Sequence, residues 1–210
     1  MVPFRPGTTV SAHTRSVKWQ CYHSHMHAGF VLVGGKSSRM HRDKALLPWR
    51  GTTLAQHVAR IVHEAAGSVT LIGEPALYAR LGYPVRADLF AGCGPVGGIA
   101  TALTLTTSEW ALITGCDMPG VSAASLRRLL HETATAGCDC IVPLGPAGPE
   151  PLCAVYHRAA LSVFEKAIAE RRFKLRDIVD RLRTRTVPGL DPENFANLNT
   201  PEEFQAFSHK

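Results

Sequence analysis

The sequence predicts a three-layer α/β protein in which helices cover both faces of a mostly parallel, open sheet. Apolar segments of strand length alternate with stretches of helical periodicity from residue 29 to residue 207. Short loops rich in glycine or polar residues separate them, and no repeat or linker divides the chain. Such alternation favours parallel strands joined by right-handed crossover helices, which lie on both sides of the sheet. A length of 210 residues also suits one domain.

Six segments are predicted to be strands because they are short, apolar and bounded by turn residues. The first ends at Gly34 and Gly35, and the most apolar one ends just before Gly115. In chain order the predicted strands are 29–33, 68–72, 84–86, 110–114, 138–143 and 152–156.

Seven helices are predicted from apolar residues at helical spacing and from signals at the helix ends. Leu54, Val58 and Val62 recur on one face of the first helix, and Ser122 is placed to cap the fourth. Pro201 suits the first position of the last helix, where no backbone N–H is needed. The predicted helices are 53–64, 75–81, 97–105, a segment after Ser122 that includes Leu126 and Leu130, 159–169, 175–181 and 201–207.

Three loops with glycine, lysine or aspartate follow strands or strand-like segments: residues 34–44, the loop around Gly94 and the loop around Asp117. Ligands of open α/β sheets bind outside the carboxyl ends of the strands, so these loops are expected to meet at one edge. Gly34 and Gly35 allow the main chain to approach a ligand closely, and basic side chains follow them. This combination is typical of a site for a nucleoside triphosphate.

Two familiar nucleotide-binding motifs do not fit the sequence. Gly35, Lys36 and Ser37 match the end of a P-loop, but the position that requires the first glycine of that motif is Phe30. Residues 92–97 match the G-x-G-x-x-G dinucleotide pattern, but they follow a loop-like stretch well into the chain instead of the first strand. The predicted nucleotide site therefore depends on neither motif.

The formal charge of +6 does not indicate nucleic-acid binding. Residues 1–25 hold three of the 23 basic residues and no acidic residue, so the rest of the chain carries 20 basic against 17 acidic residues. This modest excess suits a triphosphate and an anionic second substrate, and no basic stripe with interleaved aromatic residues is visible. Apolar runs are far shorter than the roughly 18 residues of a membrane span, so a cytoplasmic location is expected.

Residues 1–27 are predicted to be a disordered leader, and residues 28–210 a single domain. The leader has no hydrophobic periodicity, although its histidines leave metal binding open as an alternative. Met26 is the hypothesised natural start, because the first predicted strand begins three residues later. The six cysteines are expected to be reduced and mostly buried, with Cys138 and Cys140 pointing to the same face of a strand.

Four segments, in order, resemble the molybdenum cofactor guanylyltransferase family. From Leu32 to Lys44 the chain reads L-V-G-G-K-S-S-R-M-H-R-D-K, against an approximate family pattern of L-A-G-G-x-S-x-R-M-G-x-D-K. The other three are residues 94–98 (G-P-V-G-G), 116–119 (C-D-M-P) and 197–203 (N-L-N-T-P-E-E). Together they span about residues 28–206. Val33 and His41 depart from the pattern, replacing an alanine and a glycine.

The resemblance implies a Rossmann-like nucleotidyltransferase that transfers GMP from GTP to a molybdopterin-type molybdenum cofactor and releases pyrophosphate. It implies Mg²⁺ as the cofactor with Asp117 as its ligand, and Arg39, Lys44 and Asp117 as the catalytic residues. Residues implied to bind the nucleotide or the second substrate are Leu32, Gly34, Gly35, Lys44, Asp88, Asn197 and Asn199. The basic residues between 171 and 176 are a further candidate for the phosphate of the pterin substrate.

Several of these residues have a plain structural alternative. Asp88 also suits a simple loop, and Asp117 a turn or the start of a helix. Asn197 and Asn199 also suit a turn and a helix cap, and the basic residues 171–176 a solvated helix face.

Three functional alternatives remain beside GMP transfer. They are cytidylyl transfer to the same cofactor, nucleotidyl transfer to a sugar phosphate, and a nucleotide-binding homologue without catalysis, for which His41 is the only hint. In the resemblance, glycine at both positions 34 and 35 is similar to the guanine-using branch, whereas the cytosine-using relatives usually have Ala-Gly there. The implied partners are GTP, molybdopterin or the molybdenum cofactor, and molybdoenzyme maturation proteins, with neither nucleic acid nor a membrane.

Overall fold

The computed structural model describes residues 26–34, 43–135, 137–145, 147–198 and residue 203. Within these residues the strands are β1 (His27–Leu32), β2 (Pro48–Trp49), β3 (Thr52–Thr53), β4 (Thr70–Ile72), β5 (Val85–Arg86), β6 (Trp110–Gly115), β7 (Cys140–Gly145), β8 (Gly148–Pro149), β9 (Cys153–His157) and β10 (Thr184–Val187). The α-helices are α1 (Leu54–Ala66), α2 (Pro75–Tyr78), α3 (Pro95–Leu105), α4 (Ala123–His131), α5 (Leu161–Ala169) and α6 (Leu175–Val179). Short 3₁₀ turns cover Lys44–Leu46, Ala79–Leu81, Glu132–Thr135, Arg158–Ala160 and Pro192–Phe195.

The main sheet has the strand order β10-β7-β9-β6-β1-β4-β5, and β8 pairs with β7 outside this path. The pairs β1–β4, β1–β6, β4–β5 and β7–β10 are parallel, whereas β9 runs antiparallel to both β6 and β7. The sheet is therefore mixed but mostly parallel, and it is open. This confirms the predicted class of fold.

Helix α1 shows how local sequence sets an element's limits. The Thr53 hydroxyl accepts from the backbone N–H of Gln56 at 3.3 Å, and the Gln56 side chain accepts from the backbone N–H of Thr53 at 3.1 Å. This capping box satisfies N–H groups that have no partner inside the helix. The helix ends at Gly67, whose φ of 78° is accessible to glycine at little cost.

Two apolar clusters pack against the two faces of the sheet, because alternate residues of each strand point to opposite sides. Val31 of β1 belongs to the cluster beneath α1 and α4, and its neighbour Phe30 belongs to the cluster beneath α3, α5 and α6. In β6, Leu112 and Ile113 divide in the same way. The helices on both faces are those that the strand–helix alternation predicts.

The part of the sheet formed by β7, β8, β9 and β10 differs from the sequence-based predictions in three features. The first is the two-residue strand β8, which was not predicted. β10 was not predicted, because its residues Thr184 and Thr186 are polar and exposed on an edge strand. The expectation that Cys138 and Cys140 face the same way is wrong. The strand begins only at Cys140, and Cys138, two residues earlier, packs into the opposite cluster.

Some predictions lie outside the described residues, among them most of the leader and all of helix 201–207 except Glu203. The division into a leader and one domain stays a prediction, and β1 begins at His27. The cysteines of the described ranges are free thiols. In the same ranges no helix combines the length and the apolar character that crossing a bilayer requires.

Candidate active site

The carboxyl ends of β1, β4 and β6 are joined by main-chain hydrogen bonds just before the predicted site loops begin. Cys116 N–H donates to the Leu32 carbonyl at 3.2 Å, and Val33 N–H donates to the Ile72 carbonyl at 2.9 Å. The Leu32 side chain packs on α3, where a Cβ added to Gly98 would lie 3.0 Å from Leu32 Cδ2. Leu32 therefore lies between β1 and the helix that follows the Gly94 loop.

Gly34 directly follows this region and adopts a φ of +134°, a backbone conformation that side chains disfavour. It is exposed at the sheet edge. Gly35 and Arg39, which the sequence places in the same site, lie outside the described residues, as does His41. Their predicted roles stay predictions.

Asp117 lies two residues beyond the end of β6, so its side chain is at the same edge. It is partly buried, and Gly115 makes room for it, because a Cβ on Gly115 would lie 2.7 Å from Asp117 Oδ1. Burial raises the pKa of the Asp117 carboxyl, and the Lys44 ammonium and a backbone N–H oppose this rise. A poorly solvated carboxylate is stabilised by positive charges near it, so a bound cation would add to the effect of Lys44 on Asp117.

Lys44 opens the short turn Lys44–Leu46, which Asp43 caps. Its Nζ donates to the Leu198 carbonyl at 3.0 Å, and Leu198 N–H donates to the Asp117 carbonyl at 2.8 Å. Leu198 thus connects the predicted phosphate-binding lysine with the predicted metal ligand. These two residues are 73 positions apart in the sequence.

Asn197 precedes Leu198 and is therefore held beside the same pair. Its Oδ1 atom is buried and has no hydrogen-bond partner among the described residues. A buried amide oxygen without a partner is destabilising, so such an atom often binds a ligand. Asn199, its predicted companion, lies outside the described residues.

Asp88 has the contacts of a turn residue. Its Oδ1 accepts from Phe90 N–H at 2.9 Å and from the Thr101 hydroxyl at 2.7 Å, which ties the loop to α3. Its Oδ2 would lie 3.2 Å from a Cβ on Gly97, so it faces the same helix. These contacts support the simple structural alternative, and its role at a nucleoside stays a prediction.

The basic residues 171–176 are partly paired with neighbours. Lys174 forms an ion pair with Asp177 at 2.9 Å, and Arg172 pairs with Glu170. Arg176 donates to the Ala147 carbonyl at 3.2 Å. The first two pairs reduce the positive charge that this cluster offers to a phosphate.

The fold adds three side chains that sequence reasoning did not select. Tyr78 donates from its hydroxyl to Asp43, and His57 Nε2 lies 3.1 Å from the Pro119 carbonyl, in the Asp117 loop. Glu150 is partly buried, and burial raises the pKa of its carboxyl. The Arg176 guanidinium opposes this rise, and the charge of Asp117 adds to it. Contacts with two strands place Glu150 at this edge, because Gly115 N–H donates to the Leu152 carbonyl and Glu150 N–H donates to the Pro143 carbonyl of β7. The sequence contains no motif that would have found these residues.

One carboxylate with a neighbouring lysine fits a divalent cation bound chiefly by substrate. In the described ranges no group of three or more histidine, cysteine, aspartate or glutamate side chains could enclose a metal ion. Mg²⁺ normally takes one or two protein carboxylates and completes its shell with phosphate oxygens and water. Asp117, desolvated and at a strand end, meets that requirement.

A family pattern and similar sequences both relate this chain to nucleotidyltransferases of the molybdenum cofactor. The pattern of the MobA-like NTP transferase domain matches residues 29–186. A Carboxydothermus hydrogenoformans protein described as a "probable molybdenum cofactor guanylyltransferase" is 34% identical over 182 residues, which cover 83% of this chain and 91% of the relative. A Bacillus subtilis protein with the same description is 28% identical and covers 88% of this chain and 96% of its own.

Solved structures of similar fold agree with these sequence relatives. Molybdopterin-guanine dinucleotide biosynthesis protein A from Archaeoglobus fulgidus superposes with a TM-score of 0.76 at 26% identity, covering 87% of this chain and 97% of that one. A Mycobacterium tuberculosis protein solved in complex with manganese shares the fold, with a TM-score of 0.64 at 19% identity over 88% of this chain and 99% of that one.

Proposed function

The chain belongs to the MobA-like NTP transferase family and is a nucleotidyltransferase, and from this premise we propose that it transfers GMP from GTP to a molybdopterin-type cofactor. A terminal phosphate oxygen of the acceptor attacks the α-phosphorus of GTP and forms the new P–O bond. The bond from that phosphorus to the oxygen bridging to the β-phosphate breaks, and pyrophosphate leaves. The names of the relatives from C. hydrogenoformans and B. subtilis support guanine and the molybdenum cofactor as substrates.

The observation on which this proposal rests is the arrangement of Lys44, Leu198 and Asp117. The Lys44 ammonium donates to the Leu198 carbonyl at 3.0 Å, and Leu198 N–H donates to the main-chain carbonyl of Asp117 at 2.8 Å. The ammonium and the residue that carries the partly buried carboxylate are therefore tied to one backbone segment at the sheet edge. Nucleotidyl transfer needs little covalent chemistry from the protein, because catalysis depends on positioning and on neutralising the phosphates. The Lys44 ammonium supplies positive charge at a fixed place.

The remaining predicted residues complete the proposed site. Leu32 and Gly34, with Gly35, hold the base through main-chain groups and a small apolar contact, and Asp88 lies near the nucleoside. Arg39 is the second cation on the phosphates. Asn197 and Asn199 bind the acceptor, and the unpartnered amide oxygen of Asn197 supports this assignment. We further propose that the product passes to molybdoenzyme maturation proteins.

We assign Mg²⁺ to Asp117, whose desolvated carboxylate supports that role. When bound, the cation supplies charge neutralisation for the triphosphate and the leaving pyrophosphate. The manganese complex of the M. tuberculosis protein, which has the same fold, is consistent with a divalent metal in such folds. Asp117 would hold the cation at the end of β6, and the substrate phosphates would supply its other ligands.

The direct test supplies the purified protein with molybdopterin, Mg²⁺ and either GTP, CTP or ATP. Pyrophosphate release and the mass of the dinucleotide product are measured. We expect turnover with GTP to exceed turnover with CTP by about 10-fold or more, the size of discrimination that one well-placed hydrogen bond gives. Faster turnover of CTP would overturn the guanine assignment, and binding of GTP without any turnover would overturn catalysis.

Replacing the lysine tests the proposed role of its charge. Lys44→Met should lower kcat/KM at least about 100-fold, because removing a preorganised charge at the phosphates costs roughly 3 kcal/mol of transition-state stabilisation. Lys166→Met is the matched control, since Lys166 is an exposed residue of α5, which packs on the other face of the sheet from the turn Lys44–Leu46. The control should retain the activity of the unmodified chain.

A further inference from the structure

Tyr78, the last residue of α2, is only 2% exposed although it carries a hydroxyl. A buried phenol is stable only where its hydroxyl finds a partner. This hydroxyl donates to Asp43 Oδ2 at 2.6 Å, a short bond to a charged acceptor. Tyr78 therefore links the segment after β4 with the residues that precede Lys44.

The aromatic ring is fixed by contacts with the main chain. A Cβ added to Gly73 would lie 2.8 Å from Tyr78 Cε2, so the ring lies directly on this glycine. The hydroxyl lies 3.9 Å from the position that a Cβ on Gly34 would occupy. Because Gly73 and Gly34 follow the paired strands β4 and β1, the ring is held by the rigid edge of the sheet.

Asp43 connects the Tyr78 hydroxyl with the turn that begins at Lys44. Its second oxygen, Oδ1, accepts from the backbone N–H of Ala45 at 3.0 Å and caps the turn Lys44–Leu46. Both carboxylate oxygens are thus bonded, one to Tyr78 and one to the turn. A rotation of the Asp43 side chain would break one of these bonds and release the first residue of the turn, which is Lys44.

We propose that Tyr78 is a positioning residue of the transfer reaction, whose hydroxyl orients Asp43 and thereby holds the turn that presents the Lys44 ammonium to the nucleotide. This inference rests on the proposed function and deepens it. Burial and the bond to Asp43 raise the pKa of Tyr78, so the hydroxyl stays a proton donor throughout the working pH range.

The variant Tyr78→Phe removes the hydroxyl and keeps the ring. We expect the KM for GTP to rise about 10-fold, equivalent to one hydrogen bond to a charged group, with a smaller change in kcat. Tyr156→Phe is the matched control, because that buried hydroxyl donates to the Pro151 carbonyl at 2.7 Å and its ring packs on the other face of the sheet from Tyr78. Both variants should lower the melting temperature, but only Tyr78→Phe should change the KM.

A second readout follows the turn without using activity. The amide of Ala45 should exchange its hydrogen faster in Tyr78→Phe than in the unmodified protein or in Tyr156→Phe, because Asp43 Oδ1 no longer caps it firmly. In an Asp43→Ala background, Tyr78→Phe should change the KM no further, since the hydroxyl then has no carboxylate to orient.

An unchanged KM in Tyr78→Phe, or full additivity with Asp43→Ala, would overturn the positioning role. Either outcome differs from a failure of the proposed function, in which the unmodified protein itself would turn over no nucleotide. A slower or unchanged exchange of the Ala45 amide would also count against the inference.

Discussion

The Asp117 carboxylate experiences two opposing effects. Burial at the end of β6 raises its pKa, and the Lys44 ammonium lowers it, with burial the larger effect. A carboxyl whose pKa is higher in the folded than in the unfolded protein favours the folded state only when it is protonated. At neutral pH the negative charge of Asp117 therefore destabilises the metal-free protein.

Removing this charge should therefore raise the stability of the metal-free protein and lower its activity. In the presence of a chelator, Asp117→Asn should unfold at a higher temperature than the unmodified protein at pH 8. The difference should shrink as the pH falls through the raised pKa towards 4, because the unmodified carboxyl then becomes protonated. With Mg²⁺ and GTP, the same variant should lose at least about 100-fold in turnover.

Thermal unfolding between pH 4 and pH 8 measures the first effect. Asp180→Asn serves as the control, because Asp180 is exposed and its charge should affect neither property. A lower melting temperature of Asp117→Asn at pH 8 would contradict the burial argument, and unchanged turnover would contradict the metal role.

Two glycines, one that follows a strand and one inside a helix, differ in what surrounds them. Gly73, after β4, has no room for a side chain, because a Cβ would lie 2.0 Å from the Val33 carbonyl oxygen and 2.8 Å from the Tyr78 ring. Gly98, inside α3, would place its Cβ 3.0 Å from the flexible end of Leu32. The Val33 carbonyl belongs to the main chain and cannot move without disturbing the sheet, whereas the Leu32 side chain can rotate.

Gly73→Ala should therefore lower the free energy of unfolding by about 2–3 kcal/mol, the usual cost of overpacking. Gly98→Ala should change it by less than about 1 kcal/mol, since the gain in helix propensity offsets the close contact. Denaturant unfolding of both variants measures the two effects. Equal losses in the two variants would show that the contact with the Val33 carbonyl does not limit this position.

At the scale of the whole molecule, the segment before residue 199 ties distant parts of the chain together. Phe195 is fully buried in the cluster beneath α1 and α4, and Leu198 packs with Trp49 and Leu54. The main chain of Leu198 also bonds to Lys44 and to Asp117. The site is therefore assembled from the two ends and the middle of the described chain.

Leu198→Ala should lower stability by about 2–4 kcal/mol, as for other buried leucines, and should also lower kcat/KM roughly 10-fold. Leu130→Ala is the matched control, because Leu130 is also 5% exposed but packs in α4 within a different apolar cluster from Leu198. Denaturant unfolding and initial rates with GTP measure both effects. Equal loss of activity in the two variants would show that stability alone, and not the position of Leu198, sets the rate.

Much of this arrangement was predictable from the sequence. The apolar strands and the amphipathic helix α1 are local patterns, because each records which face of an element is buried. The Asp117 loop was expected at the edge of the sheet for the same reason, since it directly follows the most apolar strand. The polar edge strand β10 and the short hairpin β2–β3 were missed, because neither has a burial pattern of its own.

The sequence by itself therefore determined the class of fold, the family resemblance and the residue types of the proposed site. Only the tertiary structure decided that Lys44 and Asp117 share Leu198, that Tyr78 reaches Asp43, and that Asp88 bonds its own loop. The physical reason is that the contacts of Leu198 and Tyr78 join segments separated by tens of residues. The Asp88 carboxylate, in contrast, could bond several groups of its loop equally well. Local periodicity carries information about burial, but it carries none about which distant carbonyl or carboxylate a side chain will meet.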